Sequence, residues 1–330
     1  MRVLVTGGSG FLGSYICEVL ANEGHTVRAL VRPSSDKKFL ESLTAGAVEF
    51  SSGSIENVDS LDKAVIGVDG IIHVAGLVKA RRPEEFFATN AQGTRNLIEA
   101  AQRGAPGLRR FVYVSSLAAV GPSADGKPVL DDAEPHPVTH YGRSKLEGER
   151  AVIAAKDRLP VTVIRPPLIY GPRDRETLAF FTSIKNGVLP LVGDGSNTLS
   201  LVYGKDCAQA CVKALTADAP SGRAYFVDDG SVYVWKDALA TLERALGKRA
   251  FMRIGLPLTV LKVAAAASQL YGKATNTAQM LTLDKVNELR QKHWVCSSEG
   301  ARADLGWAPT MNWEGGVTAT AAWYRAEGWL

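Results

Sequence analysis

Residues 1–13, Met1-Arg-Val-Leu-Val-Thr-Gly-Gly-Ser-Gly-Phe-Leu-Gly13, hold a short apolar run that breaks into glycines spaced by three. Arg2–Val5 reads as a buried strand, and Phe11–Asn22 as the helix that follows it. Gly7, Gly10 and Gly13 fall at the turn between them, where a missing side chain lets backbone approach a ligand or a neighbouring strand. The amides that open the helix, at Phe11, Leu12 and Gly13, lack partners within it and sit at the positive end of its dipole, which suits a pyrophosphate. A glycine triplet alone is weak evidence, because a tight turn without a ligand can have the same composition. Its position between a strand and a helix favours dinucleotide binding. The spacing is GxxGxxG, not the commoner GxGxxG.

Composition bounds the rest. A chain of 330 residues, 46% hydrophobic and 22% charged, can bury a large core as one two-lobed unit. A net charge of +4 without any basic run gives no footprint for nucleic acid. The apolar stretch at the N-terminus is about four residues, too short for a signal peptide. Cys17, Cys207, Cys211 and Cys296 form no CxxC pair. Cys207 and Cys211 lie one helical turn apart and read as a core face, so a reduced, cytoplasmic setting is expected. The histidines show no metal-ligand spacing, and no metal is expected.

Strand and helix patterns alternate along the first half. Strands are expected at Thr26–Val31, Val48–Ser51, Gly70–His73, Phe111–Val114 and Val161–Ile164. Helices are expected between them, among others at Phe86–Arg103 and Tyr141–Asp157. That alternation implies an α/β fold, a doubly wound parallel sheet built from right-handed crossovers. After Pro172 the rhythm changes. Glycine and proline punctuate Asn186–Asn197, a strand pattern appears at Ala224–Val227, and helices follow at Lys236–Leu246 and near Leu256–Tyr271. The expected division is a dinucleotide-binding unit over 1–170, to which 198–228 returns. A smaller α+β substrate lobe then takes 171–197 and 229–330.

The end of the second strand bears on which dinucleotide binds. An acid there commonly bonds the adenosine ribose hydroxyls of NAD. This chain has Val31 in that place and Arg32 just after it. A carboxylate would repel a 2′-phosphate, whereas a guanidinium can grip it with two parallel bonds. NADP(H) is therefore expected, with NAD the alternative. Lys37 and Lys38 add positive charge nearby but read equally well as plain surface residues.

The chemical signal is Tyr141-Gly-Arg-Ser-Lys145. Residues four apart share a helix face, so phenol and amine can point into one site. An ordinary tyrosine, with a pKa near ~10, is a poor base at neutral pH, and a neighbouring cation favours its phenolate. Of the nine tyrosines, only this one has lysine four residues on. Upstream, Val114-Ser115-Ser116-Leu117 ends a strand in hydroxyls at its carboxyl edge, where ligands bind in open α/β sheets. A serine there can equally cap the next turn.

Taken together, the glycine triplet, the serine pair, Tyr141–Lys145 and Arg165-Pro-Pro-Leu-Ile-Tyr-Gly-Pro172 resemble the extended short-chain dehydrogenase/reductases, which adopt the Rossmann fold. The resemblance covers essentially the whole chain, including His73-Val-Ala-Gly76, Asn90 within ATNAQGTRN, and Asp304–Val317. It implies that Tyr141 donates or accepts the proton. Lys145 would lower the phenol's pKa and hold the nicotinamide ribose, and Ser116, rather than Ser115, would bond the reacting oxygen. It also implies cofactor contacts from Ala75, Gly76 and Pro166. Asn90 would help order the site, although helix capping is the commoner role of such a residue. Ser54 stands where the family often places an aspartate near the adenine.

Within the superfamily, the chain looks like the 3β-hydroxysteroid dehydrogenase and dihydroflavonol reductase branch, to which Lys285–Cys296 also bears a likeness. Sugar-nucleotide members usually hold their diphosphate with an asparagine before YGP and an arginine before a later strand, where this chain has Leu168 and Leu199. A buried pyrophosphate without donors would be strongly disfavoured. The implied substrate is a small hydrophobic ketone or secondary alcohol, with reduction the direction that NADP(H) favours. Two alternatives remain open: an NAD-dependent sugar-nucleotide epimerase and a non-catalytic NADP-binding regulator. A homodimer is the family's habit. Leu256–Tyr271 is shorter than the ~20 residues of a membrane span. It is expected to be a buried or pocket-lining helix, with a peripheral membrane helix as the alternative.

Overall fold

The computed structural model describes residues 1–43, 46–279 and 281–330. The first half runs β1 (Arg2–Thr6), α1 (Phe11–Asn22), β2 (Thr26–Val31), α2 (Lys38–Glu41), β3 (Val48–Ser52), α3 (Val58–Ala64), β4 (Gly70–His73) and α4 (Pro83–Phe86). A single π-helical turn, Phe87–Gln92, leads into α5 (Gly93–Gly104), β5 (Arg110–Val114), α6 (Leu117–Val120), α7 (His140–Ala154) and β6 (Val161–Arg165). Then come β7 (Leu168–Tyr170), α8 (Leu178–Lys185), β8 (Val188–Val192), β9 (Thr198–Leu199), β10 (Leu201–Tyr203), α9 (Gly204–Thr216) and β11 (Arg223–Phe226). The chain ends with β12 (Tyr233–Val234), α10 (Trp235–Leu246), β13 (Met252–Leu256), α11 (Leu258–Thr275), α12 (Leu283–Leu289), β14 (His293–Trp294), α13 (Glu299–Leu305) and α14 (Trp313–Ala326).

Seven strands form one parallel sheet in the order β11-β6-β5-β4-β1-β2-β3. The Rossmann expectation holds. Alternation of side chains sets its two faces. Val3, Val5, Ile72, Val112 and Val114 join α1 and α9 in one core, while Leu4, Ile71, Phe111 and Tyr113 join α3, α5 and α7 in the other. Cys207 and Cys211 lie in the first of these cores, against α1. The order reverses between β1 and β4. That places a crevice at their carboxyl ends, where ligands of open α/β sheets bind.

The remaining elements gather around a separate aromatic core that includes Tyr170, Phe181, Leu239, Trp313 and Tyr324. The glycine-punctuated stretch Asn186–Asn197 contains a strand, β8, that pairs in parallel with β13. The helix expected across Phe86–Arg103 is three pieces, interrupted by the π-turn. The buried helix expected at Leu256–Tyr271 is corrected in two ways. Leu256 belongs to β13, and Pro257 caps a longer helix, α11, of which only Leu261, Ala265 and Gly272 are buried. Its small cluster joins Leu261 and Ala265 to Val286 of α12, with Leu256 of β13 and Leu281 at its edge.

Candidate active site

The β1–α1 turn is built by backbone contact. Gly7 has φ +72°, and a Cβ there would lie 2.8 Å from the Ala75 amide nitrogen. A Cβ on Gly13 would sit 2.0 Å from the Gly7 carbonyl oxygen, so the first turn of α1 rests directly on the loop. Packing alone therefore requires two of the three glycines. The ligand signal lies elsewhere. Gly10 caps α1 without any side chain, and no acid occupies the first turn. Among the described residues Ser14 is the first of the helix to bond back to a main-chain acceptor, the Gly10 carbonyl. The amides of Phe11, Leu12 and Gly13 are left to face the crevice with the helix dipole behind them.

Across the crevice runs a buried polar chain. The Ala75 amide donates to Thr6 Oγ1 (3.2 Å), which meets His73 Nδ1 (2.7 Å). His73 Nε2 meets Thr94 Oγ1 (2.9 Å), whose hydroxyl donates to the Asn90 carbonyl (2.7 Å). Because Thr94 spends its proton on Asn90, Nε2 must carry the imidazole hydrogen, and Nδ1 accepts from Thr6. Burial, reinforced by Lys145, pushes the imidazole down to about 3, so His73 is neutral. Asn90 is no helix cap. It stands within the π-turn, accepts from the Leu77 amide (2.7 Å) and donates to the Leu77 carbonyl (3.0 Å) and Ser144 Oγ (2.9 Å). It thus pins the segment that follows Gly76 against α7. Such turns are frequent at functional sites.

Thr139 caps α7 by accepting from the Gly142 amide (3.0 Å), and Asp284 of α12 accepts from the His140 amide (2.9 Å). A Cβ on Gly142 would lie 2.1 Å from the Ala118 carbonyl, so α7 presses against α6 and brings Tyr141 beside Ser116. Ser116 ends the strand side of that contact. It accepts from the Ala118 amide (3.1 Å), so it caps the turn and also faces the phenol. The Tyr141 ring meets Phe86 edge-on at 6.1 Å. Burial of its head pushes the phenol up to about 12, with the Ser116 hydroxyl pulling it partly back. The lowered phenol pKa that the resemblance implies is absent here. The dry surroundings cost the phenolate more than its neighbours return.

Lys145 lies four residues on, buried, its Nζ 2.5 Å from the Val114 carbonyl and 4.4 Å from the Tyr113 ring centre. Burial pulls the amine down to about 7, and Glu149 opposes this. Glu149, another four residues along, is itself buried and holds Arg165 by two bonds, from Nε (3.2 Å) and from Nη2. One face of α7 thus carries phenol, amine and carboxylate in succession. Glu149 was missed, although the repeated spacing of four from Lys145 signals it.

Other expected residues are placed as follows. Pro166 accepts from the Leu117 amide (2.9 Å), tying β6 to the serine turn. Gly76 is close enough that a Cβ would lie 3.8 Å from Lys145 Nζ. Arg32 is exposed, and its guanidinium has no hydrogen bond or salt bridge among the described residues. Lys37 lies over the Phe50 ring at 5.5 Å. The Ser54 amide and carbonyl both meet Ser60 Oγ at 3.2 Å. Of the terminal motif, Trp307, Thr310 and Met311 all bond to Asp206 on α9, which is structural anchoring. A shallow groove lined by Tyr233, Asp237, Arg244 and Trp313 contains none of the site residues.

A dinucleotide fits these residues. The uncapped amides of α1 suit its pyrophosphate, and the buried Ser115 hydroxyl has no partner among the described residues.

Residues 3–227 match the NAD dependent epimerase/dehydratase family, and the chain belongs to it, among the extended short-chain dehydrogenase/reductases. The chain is 34% identical to "Ceramide reductase" of Caulobacter vibrioides, covering 99% of this chain and 96% of that protein. It is 31% identical to "2-alkyl-3-oxoalkanoate reductase" of Stenotrophomonas maltophilia, over 96% and 97%. It is 30% identical to "3 beta-hydroxysteroid dehydrogenase/Delta 5-->4-isomerase" of Mycobacterium tuberculosis, over 98% and 90%. Among solved structures, the dTDP-glucose 4,6-dehydratase DesIV of Streptomyces venezuelae, with NAD and TYD bound, superposes with a TM-score of 0.82 at 25% identity, covering 100% of this chain and 98% of that one. The protein is an NAD(P)-dependent oxidoreductase acting on CH–OH groups, with 3β-hydroxysteroid dehydrogenase-like and ketoreductase relatives. The non-catalytic alternative falls away.

Proposed function

We propose that this enzyme reduces a hydrophobic ketone to its secondary alcohol with NADPH, and that Tyr141 supplies the proton. The observation that carries the reading is the pairing of Ser116 and Tyr141 at the carboxyl edge of β5, with a phenol that keeps its proton at neutral pH. A protonated phenol is an acid in waiting, as reduction needs. The dinucleotide, when bound, supplies the hydride. Ser116 holds the carbonyl oxygen while negative charge develops on it, and Tyr141 gives that oxygen its proton. Lys145, drawn by burial down to about 7 and opposed in this by Glu149, stands one helical turn from the phenol on α7.

Phe11, Leu12 and Gly13 hold the pyrophosphate, with Gly7 and Gly10 shaping the turn. Ala75, Gly76, Lys145 and Pro166 line the nicotinamide end. Arg32, whose guanidinium has no other bonding partner among the described residues, takes the 2′-phosphate. Residues 1–170 with 198–228 hold the cofactor, and 171–197 with 229–330 shape the substrate side. The reductases of ceramide and of 2-alkyl-3-oxoalkanoate among the relatives accord with a lipophilic carbonyl substrate. Leu168, at the start of β7, is 37% exposed and offers no donor to a diphosphate.

The test follows NADPH absorbance across steroid, flavonoid, β-keto acid and aryl ketones. Consumption with an apolar ketone, abolished in Tyr141→Phe, is expected. Purified protein carrying stoichiometric NAD that converts a UDP-sugar without added cofactor would overturn the proposal.

A further inference from the structure

We propose that the outward face of α11 docks on an anionic lipid bilayer beside the mouth of the active site. The buried residues of this helix, Leu261, Ala265 and Gly272, recur at spacings of four and seven and define its inward side. The opposite side carries Val260, Val263, Ala264, Ala267, Leu270, Tyr271 and Ala274, all exposed and each three or four residues or one step from the next. Val263 is 72% and Leu270 70% exposed. A helix facing water ordinarily carries polar residues there, so this stripe is reversed. Phe251 and Met252, on the approach to the helix, are exposed as well, the first by 80%.

Charge selects the occupant. Residues 247–279 contain Lys248, Arg249, Lys262 and Lys273, besides Arg253, which pairs with Glu243 (3.3 Å), and they contain no aspartate or glutamate, in a chain whose overall charge is only +4. An apolar stripe flanked by cations matches the boundary of a bilayer with anionic headgroups. A second copy of this chain fits poorly, because a two-fold interface would set the same cations against each other. Spanning is not at issue, since no helix among the described residues is long and apolar enough to cross a membrane.

The face also stands in the right place. Leu261 and Ala265 of α11 pack with Val286 of α12, and α12 reaches the start of α7 through Asp284, which accepts from the amide of His140, the residue before Tyr141. Asn276, which caps α11, accepts from Arg81 (3.1 Å) in the segment after Gly76. Both walls of the cleft therefore touch the α11–α12 pair. A ketone dissolved in the bilayer would reach Tyr141 by a short route. That delivery role rests on the function proposed above, whereas the docking itself does not.

The experiment sediments the full chain with phosphatidylcholine vesicles, with and without phosphatidylglycerol, at low and high salt. Binding is expected only with the anionic lipid, and it should weaken as salt rises. The double variant Val263→Glu/Leu270→Glu should bind at least ~10-fold more weakly, because two apolar contacts are lost and two repelled charges gained. Both side chains stand in water, so the variant should fold and should retain turnover of a short, water-soluble ketone. Wild-type protein that reduces ketones but pellets with neither vesicle overturns the docking proposal alone. A dimer that the same two substitutions dissociate, without vesicle binding, overturns it in favour of self-association. Anionic-vesicle binding that they abolish supports it, even if every ketone tried is inert.

Discussion

Lys145 Nζ donates to the main-chain carbonyl of Val114 at 2.5 Å, inside a site that leaves the lysine only 4% exposed. The bond fixes the amine, yet the dry surroundings draw it from its ordinary 10.5 down to about 7. Between those values the unfolded chain binds a proton that the folded chain does not. Stability should therefore rise with pH across that window, by up to ~1.4 kcal/mol per unit from this group. Below it both states are protonated, and the folded state bears the full burial cost. Lys145→Met should flatten the rise, as seen by thermal unfolding of the cofactor-free protein from pH 6.5 upward. An unchanged slope would show that the lysine is not the titrating group.

Tyr141→Phe keeps the ring that packs on Phe86 and removes only the hydroxyl. Turnover should fall by about 10²–10⁴-fold, the usual weight of a positioned proton donor. NADPH affinity should stay within about twofold, because the interactions of the β1–α1 turn are untouched. Fluorescence titration alongside steady-state rates separates the two.

Gly10→Ala and Gly13→Ala should differ sharply. At Gly10 the added methyl meets only the Gly7 carbonyl at 3.2 Å, whereas at Gly13 it would lie 2.0 Å from the same atom. The second variant must lift α1 off its loop, at a cost of about 1–3 kcal/mol. Denaturant unfolding should show the order Gly13→Ala well below Gly10→Ala. Equal losses would mean the turn yields easily.

Arg32→Glu should move the ratio of kcat/KM for NADPH over NADH toward NADH by at least ~10-fold. It replaces a free guanidinium by a charge that repels the 2′-phosphate. Folding should not suffer, since that guanidinium bonds to nothing among the described residues. A ratio that stays put removes Arg32 from cofactor selection.

Glu149→Gln should destabilise the fold by about 3–5 kcal/mol, because it leaves the buried Arg165 guanidinium without its counter-charge. It should also draw Lys145 below 7, since Glu149 is the group that supports the ammonium. The pH at which stability begins to climb should then shift downward in the same unfolding series. Loss of stability without that shift would restrict Glu149 to a structural part.

Much of this was legible in the residues, for physical reasons. The strands β2 and β4 and the helix α1 fall at the expected bounds, because largely buried strands read as apolar runs and glycine marks where α1 meets the turn. Tyr141 and Lys145 share a face because a helix repeats nearly every four residues. For Asn90 the ordering role was expected beside the commoner one of capping a helix; spacing could not choose between them, because a π-turn reads like an ordinary helix and the hydrogen bonds of Asn90 run to Leu77 and Ser144, distant in sequence. The roles of Thr6 and Thr94 were invisible for the same reason, since each matters only through a histidine that the fold carries between them. The exposure of α11 could not be read from composition. An apolar helix looks alike whether it is covered by protein or left bare.

The sheet's outermost strand, β11, and the helix α9 come from residues 204–226, yet Cys207, Cys211 and Leu215 cover the same core as Ile16 and Leu20 of α1. During synthesis the nucleotide-binding half therefore emerges with one flank bare, and it stays so until translation has passed Phe226. At about 5–20 residues per second that interval lasts several seconds. An excised fragment ending at Tyr170 would be in that state permanently, and chaperone capture or clumping, rather than a smaller working module, is what such a truncation should yield.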